Sequence, residues 1–347
     1  MLVLQSDLPQ ATGLAFSPDG QALVAVTGDK VQVWPRWLDK PPRKVATVQS
    51  SLERFAFAPD NKKVYLYQSG NSRVRVYTLA TGKATKTVIP DGGPSYFHTD
   101  TAGGFVLSSH GRGSFARFDL DPSGPGGFTR AWLLERTSTV GQSNKGVPLG
   151  SHYYFGGVSA IGTFVSLEYR FNGNGEPYEG LVVRDVADGA ALFKKKLKAG
   201  EVSSILECGL KLAIHPSGRY FAIPHRNNIR FWPMTKSAKL PAELENVDVK
   251  LPKPKGKGKA PLKAECSGLA FHPSGAVLAA VGNDGTVKLY DTTTWAVART
   301  FAWDIGPLRA VCFAPDGTRA AAIGTGRPGA GKRPKEGGKI VVWDVDL

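Results

Sequence analysis

Gly268-Leu269-Ala270-Phe271-His272-Pro273-Ser274-Gly275 is followed by Gly282-Asn283-Asp284-Gly285-Thr286-Val287-Lys288-Leu289-Tyr290-Asp291. These two runs decide how the chain reads. The first is an apolar strand that ends in a proline turn: Pro presets a φ of about −65° and the later Gly accepts a positive φ. The second is a tight turn followed by a strand with period-2 alternation, β-branched residues and an aromatic near its end. No long stretch carries a 3.6-residue period, so strands are expected and helices are not.

Working outward, the first run recurs along the chain. It returns as Leu14-Ala15-Phe16-Ser17-Pro18-Asp19-Gly20, Phe55-Ala56-Phe57-Ala58-Pro59-Asp60-Asn61, Leu212-Ala213-Ile214-His215-Pro216-Ser217-Gly218 and Val311-Cys312-Phe313-Ala314-Pro315-Asp316-Gly317. Tyr96-Phe97-His98-Thr99-Asp100-Thr101 lacks the Pro but keeps the phase. The turns fall at 18, 59, 100, 216, 273 and 315, with spacings of 41, 41, 116, 57 and 42. The gap of 116 is twice 58, so a diverged unit is expected to turn at about 160, built from Tyr153-Tyr154-Phe155 and Gly162-Thr163-Phe164-Val165-Ser166-Leu167. The second run recurs seven times, near Trp34, Tyr77, Phe118, Val183, Trp232, Tyr290 and Trp343. Both elements count seven units.

On these residues the chain resembles the WD-repeat (WD40-type) β-propeller family, most fully at 268–291 and least between about 95 and 200. The resemblance implies an all-β fold: a seven-bladed β-propeller of four-stranded antiparallel blades, forming a single domain over 1–347. It also implies a rigid platform for protein–protein assembly. The chain departs from the family pattern in places. The Gly-His dipeptide is absent, and Trp-Asp is in phase only at Trp343-Asp344. The family's His–Ser/Thr–Asp–Trp hydrogen-bond network is therefore expected to be mostly missing.

The last third-strand pattern ends close to Leu347, so the last blade lacks its outer strand. Met1-Leu2-Val3-Leu4-Gln5 is β-prone and is expected to supply it, closing the ring and covering a sheet edge. The other outer strands are expected near 44–49, 84–89, 129–135, 192–198, 245–250 and 297–303. Lys194, Lys195, Lys196 and Lys198 on one of them read as edge protection.

Composition narrows the function classes. Hydrophobic residues are 41% and charged residues 21%, which excludes disorder as the main state. The three cysteines, Cys208, Cys266 and Cys312, exclude a disulfide scaffold and read as inert buried thiols. No apolar run is long enough for a membrane span, no signal peptide is visible at the start, and a cytoplasmic location is expected. The formal charge is +15, and three stretches hold all but one unit of it: 250–263, 324–339 and 194–198. The segment 251–263 joins an outer strand to the next inner strand, and 324–339 joins a second strand to a third. In a propeller both connection types leave the same face. Two insertions without basic runs, 137–150 and 169–180, fall in the same classes. One face should therefore carry the elaboration, where function on a rigid scaffold is expected.

No catalytic, cofactor-binding or metal-binding residues are expected. Gly326-Arg327-Pro328-Gly329-Ala330-Gly331-Lys332 spells a phosphate-loop string, but Arg333 stands where Ser or Thr is needed and no helix follows. The six histidines show no ligand spacing, and His98, His215 and His272 recur through the repeat. Asp19, Asp60, Asp284 and Asp316 read as turn residues, and Trp34, Trp232 and Trp343 as packing residues. The expected function is a non-catalytic scaffold whose elaborated face binds an acidic protein partner through Lys253, Lys255, Lys257, Lys259, Arg327, Lys332, Arg333 and Lys335. Two alternatives remain open: the same side chains could contact nucleic-acid phosphates, or the central channel could hold an enzyme site.

Overall fold

The computed structural model describes residues 1–8, 11, 13–27, 30–38, 43–47, 55–58, 60–68, 73–81, 83–88, 94–99, 105–110, 115–120, 128–134, 151–158, 161–171, 177–197, 212–236, 239–241, 243–246, 265–325 and 338–346. Among these residues there is no helix, and every strand belongs to a four-stranded antiparallel sheet. Seven such sheets follow one another along the chain. The first is β2 (Gly13–Phe16), β3 (Leu23–Val26), β4 (Lys30–Trp34) and β5 (Arg43–Thr47). The second is β6 (Phe55–Phe57), β7 (Lys63–Gln68), β8 (Arg73–Thr78) and β9 (Ala84–Val88). The third is β10 (Pro94–Thr99), β11 (Phe105–His110), β12 (Phe115–Leu120) and β13 (Phe128–Leu134). The fourth is β14 (Ser151–Val158), β15 (Thr163–Phe171), β16 (Pro177–Asp185) and β17 (Ala191–Lys196). The fifth is β18 (Ala213–Ile214), β19 (Tyr220–His225), β20 (Asn228–Pro233) and β21 (Glu243–Glu245). The sixth is β22 (Cys266–Phe271), β23 (Val277–Gly282), β24 (Thr286–Asp291) and β25 (Val297–Ala302).

The seventh sheet draws on both ends of the chain. Its strands β26 (Leu308–Phe313), β27 (Arg319–Gly324) and β28 (Lys339–Asp344) are completed by β1 (Leu2–Gln5). β1 pairs antiparallel with β28 in the register Leu2↔Val342 to Gln5↔Lys339. The expected role of the first residues as an outer strand is thus met.

The core lies between sheets rather than within one layer. β3 sends Leu23 and Ala25 into the core shared with the seventh sheet, and Val24 and Val26 into the core shared with the second. β27 divides the same way: Ala321 and Ile323 face the first sheet, Ala320 and Ala322 face the sixth. β23 sends Leu278 and Ala280 toward the fifth sheet and Ala279 and Val281 toward the seventh. A strand buried on both faces must be apolar at every position. That is why these second strands read as unbroken apolar runs while the third strands alternate. Neighbouring first strands also touch: β22 on β26, β26 on β2, β18 on β22, β14 on β18, β10 on β14 and β6 on β10. The first and second sheets share the core of Val24, Val31, Phe57, Val64 and Tyr77.

Two expectations about element boundaries are revised. The outer strand expected at 245–250 is Glu243–Glu245, because Asn246 turns away, its N–H donating to Asn227 O at 2.9 Å. The segment 169–180 is largely strand, since β15 and β16 stay paired out to Phe171↔Pro177. The insertion 137–150 lies outside the described residues. Of the edge lysines, Lys194 and Lys196 are exposed, Lys195 lies over the Trp232 ring at 4.9 Å, and Lys198 is outside the described residues.

Candidate interaction site

One end of the sheets gathers the connections from outer to inner strands and from second to third strands. Four segments between the fifth and seventh sheets show this directly. Cys266 N–H donates to Arg226 O, and Asn283 N–H to Glu265 O at 3.0 Å. Glu265 N–H returns to Asn283 Oδ1 at 2.9 Å, and Thr325 N–H donates to Pro307 O at 3.0 Å. Gly338 accepts from Ser6 N–H at 2.8 Å. Asn246 and Glu265 are the described residues flanking 251–263, and Thr325 and Gly338 flank 326–337. All four stand at this end. Lys253, Lys255, Lys257, Lys259, Arg327, Lys332, Arg333 and Lys335 lie outside the described residues, as does the string 326–332.

The bases of both segments are held by buried polar side chains that sequence reasoning missed. Asn246 is only 2% exposed. Its Oδ1 accepts from Tyr290 Oη at 3.0 Å and its carbonyl accepts from Lys288 Nζ. Cys266 lies beside it, and burial pushes this thiol up to about 12. Burial raises the Cys312 thiol as well, so both read as protonated and unreactive at neutral pH. Cys208 is outside the described residues. Near Gly338, Gln32 is buried on β4 and its Oε1 accepts from Ser6 Oγ at 2.8 Å and Asp7 N–H at 3.0 Å. Leu8 N–H donates in turn to Ser6 Oγ at 3.1 Å. The available signal was a neutral amide at the position where other third strands carry Arg75, Arg230 or Lys288.

The opposite end carries the proline turns. Asp19, Asp60 and Asp316 there each accept a backbone N–H two residues on, from Gln21, Lys62 and Thr318, and Asp284, in the β23–β24 turn at the first end, accepts from Thr286 in the same way, as turn chemistry requires. His215 and His272 each reach the next sheet's turn, at Gly275 O and Gly317 O. The seventh sheet has Ala314 at that position, and among the described residues no histidine ring crosses to the first sheet. Instead Trp37 Nε1–H donates to Gly20 O at 2.9 Å, and Arg319 lies over the Trp37 ring at 5.2 Å. A groove of about 400 Å³ opens there, lined by Asp19, Arg36, Trp37, Leu38, Asp316 and Arg319.

Trp34, Trp232 and Trp343 are buried, and their indole N–H groups find no partner among the described residues. They pack between sheets, as expected. On the fifth sheet Glu243 collects Arg230 Nε at 3.3 Å, Asn228 Nδ2 at 2.5 Å and His225 Nδ1 at 4.0 Å. Among the described residues no three His, Cys, Asp or Glu side chains are grouped to hold a metal ion. The described surface offers the groove beside Trp37 and the charged cluster around Glu243.

No curated protein matches the chain. Residues 256–291, spanning β22, β23 and β24 of the sixth sheet, match the family model for the WD domain, G-beta repeat, the unit that generally mediates protein–protein interaction. The chain carries a WD40 repeat in that segment, where its resemblance to the family is fullest.

Proposed function

We propose that the chain is a single seven-bladed β-propeller domain over 1–347, acting as a non-catalytic interaction scaffold in the cytoplasm. Its partner is an acidic protein surface, held by the loops 251–263 and 324–339 through Lys253, Lys255, Lys257, Lys259, Arg327, Lys332, Arg333 and Lys335. Support for the ring comes from the succession of neighbouring first strands and from the seventh sheet's contacts with both the sixth and the first. Support for an interaction role comes from the WD40 repeat at 256–291.

The observation that carries the choice of face is the shared end of Asn246, Glu265, Thr325 and Gly338. Two Gly/Pro/Lys-rich segments whose flanking residues stand at one end of the sheets concentrate positive charge there. That charge steers a negatively charged partner and raises its association rate.

Binding of polyglutamate, duplex DNA and single-stranded RNA, each measured against salt concentration, tests this reading. The comparison protein has the eight basic side chains replaced by Gln. The expected result is salt-sensitive binding of polyglutamate that the replacement abolishes. Retention of affinity after replacement rejects these residues. Tighter binding of DNA or RNA than of polyglutamate at equal salt, with a steep salt slope, assigns the loops to phosphate backbones instead.

A further inference from the structure

The string His-Pro-Ser-Gly occurs twice, at 215–218 and 272–275, and the two histidines are held in the same way. Ser217 N–H donates to His215 Nδ1 at 3.1 Å, with Ser217 Oγ 2.7 Å from the same nitrogen. A nitrogen that accepts a backbone N–H carries no proton, so the proton sits on Nε2. Nε2 lies 3.0 Å from Gly275 O, in the next sheet's turn. His272 repeats the arrangement: Ser274 N–H at 3.1 Å and Ser274 Oγ at 2.7 Å on Nδ1, and Nε2 at 2.9 Å from Gly317 O.

The slots leave no spare room. A Cβ on Gly275 would lie 2.6 Å from His215 Nε2, and one on Gly317 would lie 2.5 Å from His272 Nε2. The His215 ring stacks on Tyr220 with centroids 4.5 Å apart and meets Phe271 edge-on at 5.1 Å. His272 meets Phe313 edge-on at 5.1 Å.

We propose that His215 and His272 are a pair of acid-released clasps that join the fifth, sixth and seventh sheets at their turn ends. Each clasp needs a neutral ring. A proton added at Nδ1 turns that acceptor into a donor, facing the Ser N–H that it had accepted. The resulting cation sits among aromatic faces with no carboxylate at ion-pair distance among the described residues. Around His215 the groups on its own turn are Ser217 and Arg219. Tyr220 comes from β19, Phe271 from β22, and Gly275 from the adjacent turn, with Thr292 Oγ1 also donating to Gly275 O at 2.7 Å. Around His272 they are Ser274, Phe313 and the Gly317 turn, whose Asp316 carboxylate is taken by Thr318 N–H and Oγ1–H.

Burial holds the His215 pKa below its ordinary value; the bond to Gly275 O opposes this and Arg219 adds to it. A folded value below the unfolded one gives a contribution that is complete above about 6.5 and shrinks as pH falls toward the folded value. Acid therefore loosens the His215 ring in its slot. The equivalent positions of the seventh, first and second sheets hold Ala314, Ser17 and Ala58, so those turns carry no such ring.

Imidazole ¹⁵N spectra and amide hydrogen exchange of the full chain between pH 7.5 and 5 provide the test. At pH 7.5 both rings should be the Nε2–H tautomer. Protection of the Ser217 and Ser274 amides should fall about tenfold per pH unit below each ring's pKa, after correction for intrinsic exchange. The Gly20 amide, bonded to Ser17 O, should keep its protection. A His215 that titrates at or above 6.5, or serine amides protected equally at pH 7.5 and 5, overturns the proposal. In thermal unfolding, the Tm loss between pH 7 and 5 should be smaller in the variant H215F/H272F than in the unaltered chain, and equal losses overturn it. Should that variant not fold, the exchange measurement on the unaltered chain decides alone.

Discussion

Trp37 occupies, at the junction of the seventh and first sheets, the role that His272 fills one junction earlier. It reaches a turn glycine's carbonyl with a ring N–H, but from its own sheet. Replacing it with Phe keeps the ring and its contact with Phe16, at 6.0 Å between centroids. The indole bond to Gly20 O is lost and the attraction of Arg319 weakened. The expected cost is about 1–2 kcal/mol of unfolding free energy, measured by denaturant titration. Gln32→Leu strands Ser6 Oγ and Asp7 N–H without their acceptor. It should cost about 1–3 kcal/mol and raise exchange at Asp7 first. None of these partners is adjacent in sequence: Ser6 and Gln32 are 26 residues apart, and His215 and Gly275 are 60. The residue types were visible, yet their pairing was not, because the Ser6–Gln32 and His215–Gly275 bonds each span a junction between sheets.

At the scale of elements, the alternating third strands and proline turns were legible almost to the residue. All seven third strands contain the expected runs, because period-2 alternation is written locally in the chain. The outer strands were less legible, since an edge strand is half exposed and carries little pattern. Glu243–Glu245 is the clearest case: the strand ends where Asn246 finds better partners in Asn227, Lys288 and Tyr290. The extra length expected at 169–180 does lie between a second and a third strand, but as paired strand of β15 and β16. β1 has a direct test. Deleting residues 1–5 uncovers β28 along Lys339–Val342 and removes Leu4 from the core it packs against. The expected result is a loss of roughly 2–4 kcal/mol and concentration-dependent self-association, seen by light scattering. Gly324→Ala tests a different contact at the end of β27. Its Cβ would lie 2.2 Å from Ile305 O, so the turn between β25 and β26 must shift. A cost of about 1–3 kcal/mol is expected in thermal unfolding.

At the scale of the whole molecule, each core is shared between two neighbouring sheets, so stability is a sum over junctions more than a property of one centre. The proposed binding segments are 251–263 and 326–337, the second lying between Thr325 and Gly338, whose backbone bonds to Pro307 and Ser6 are left in place. Removing both lowers the formal charge from +15 to +7. Stability should stay within about 0.5 kcal/mol, while retention on a cation-exchange column falls sharply. A large loss of stability on removal would mean that these segments pack against the sheets.

By itself the sequence determined the strand count, the turn chemistry, the partner strand for the first residues and the places where charge collects. Those properties depend on side chains within a few residues of one another, on the phase of the repeat, or on composition alone. Only the tertiary structure decided which junctions are bridged by histidine and which is left as a groove, and which buried amides hold the bases of the basic loops. Those contacts depend on the register of one sheet against the next, and no local pattern in the chain encodes it.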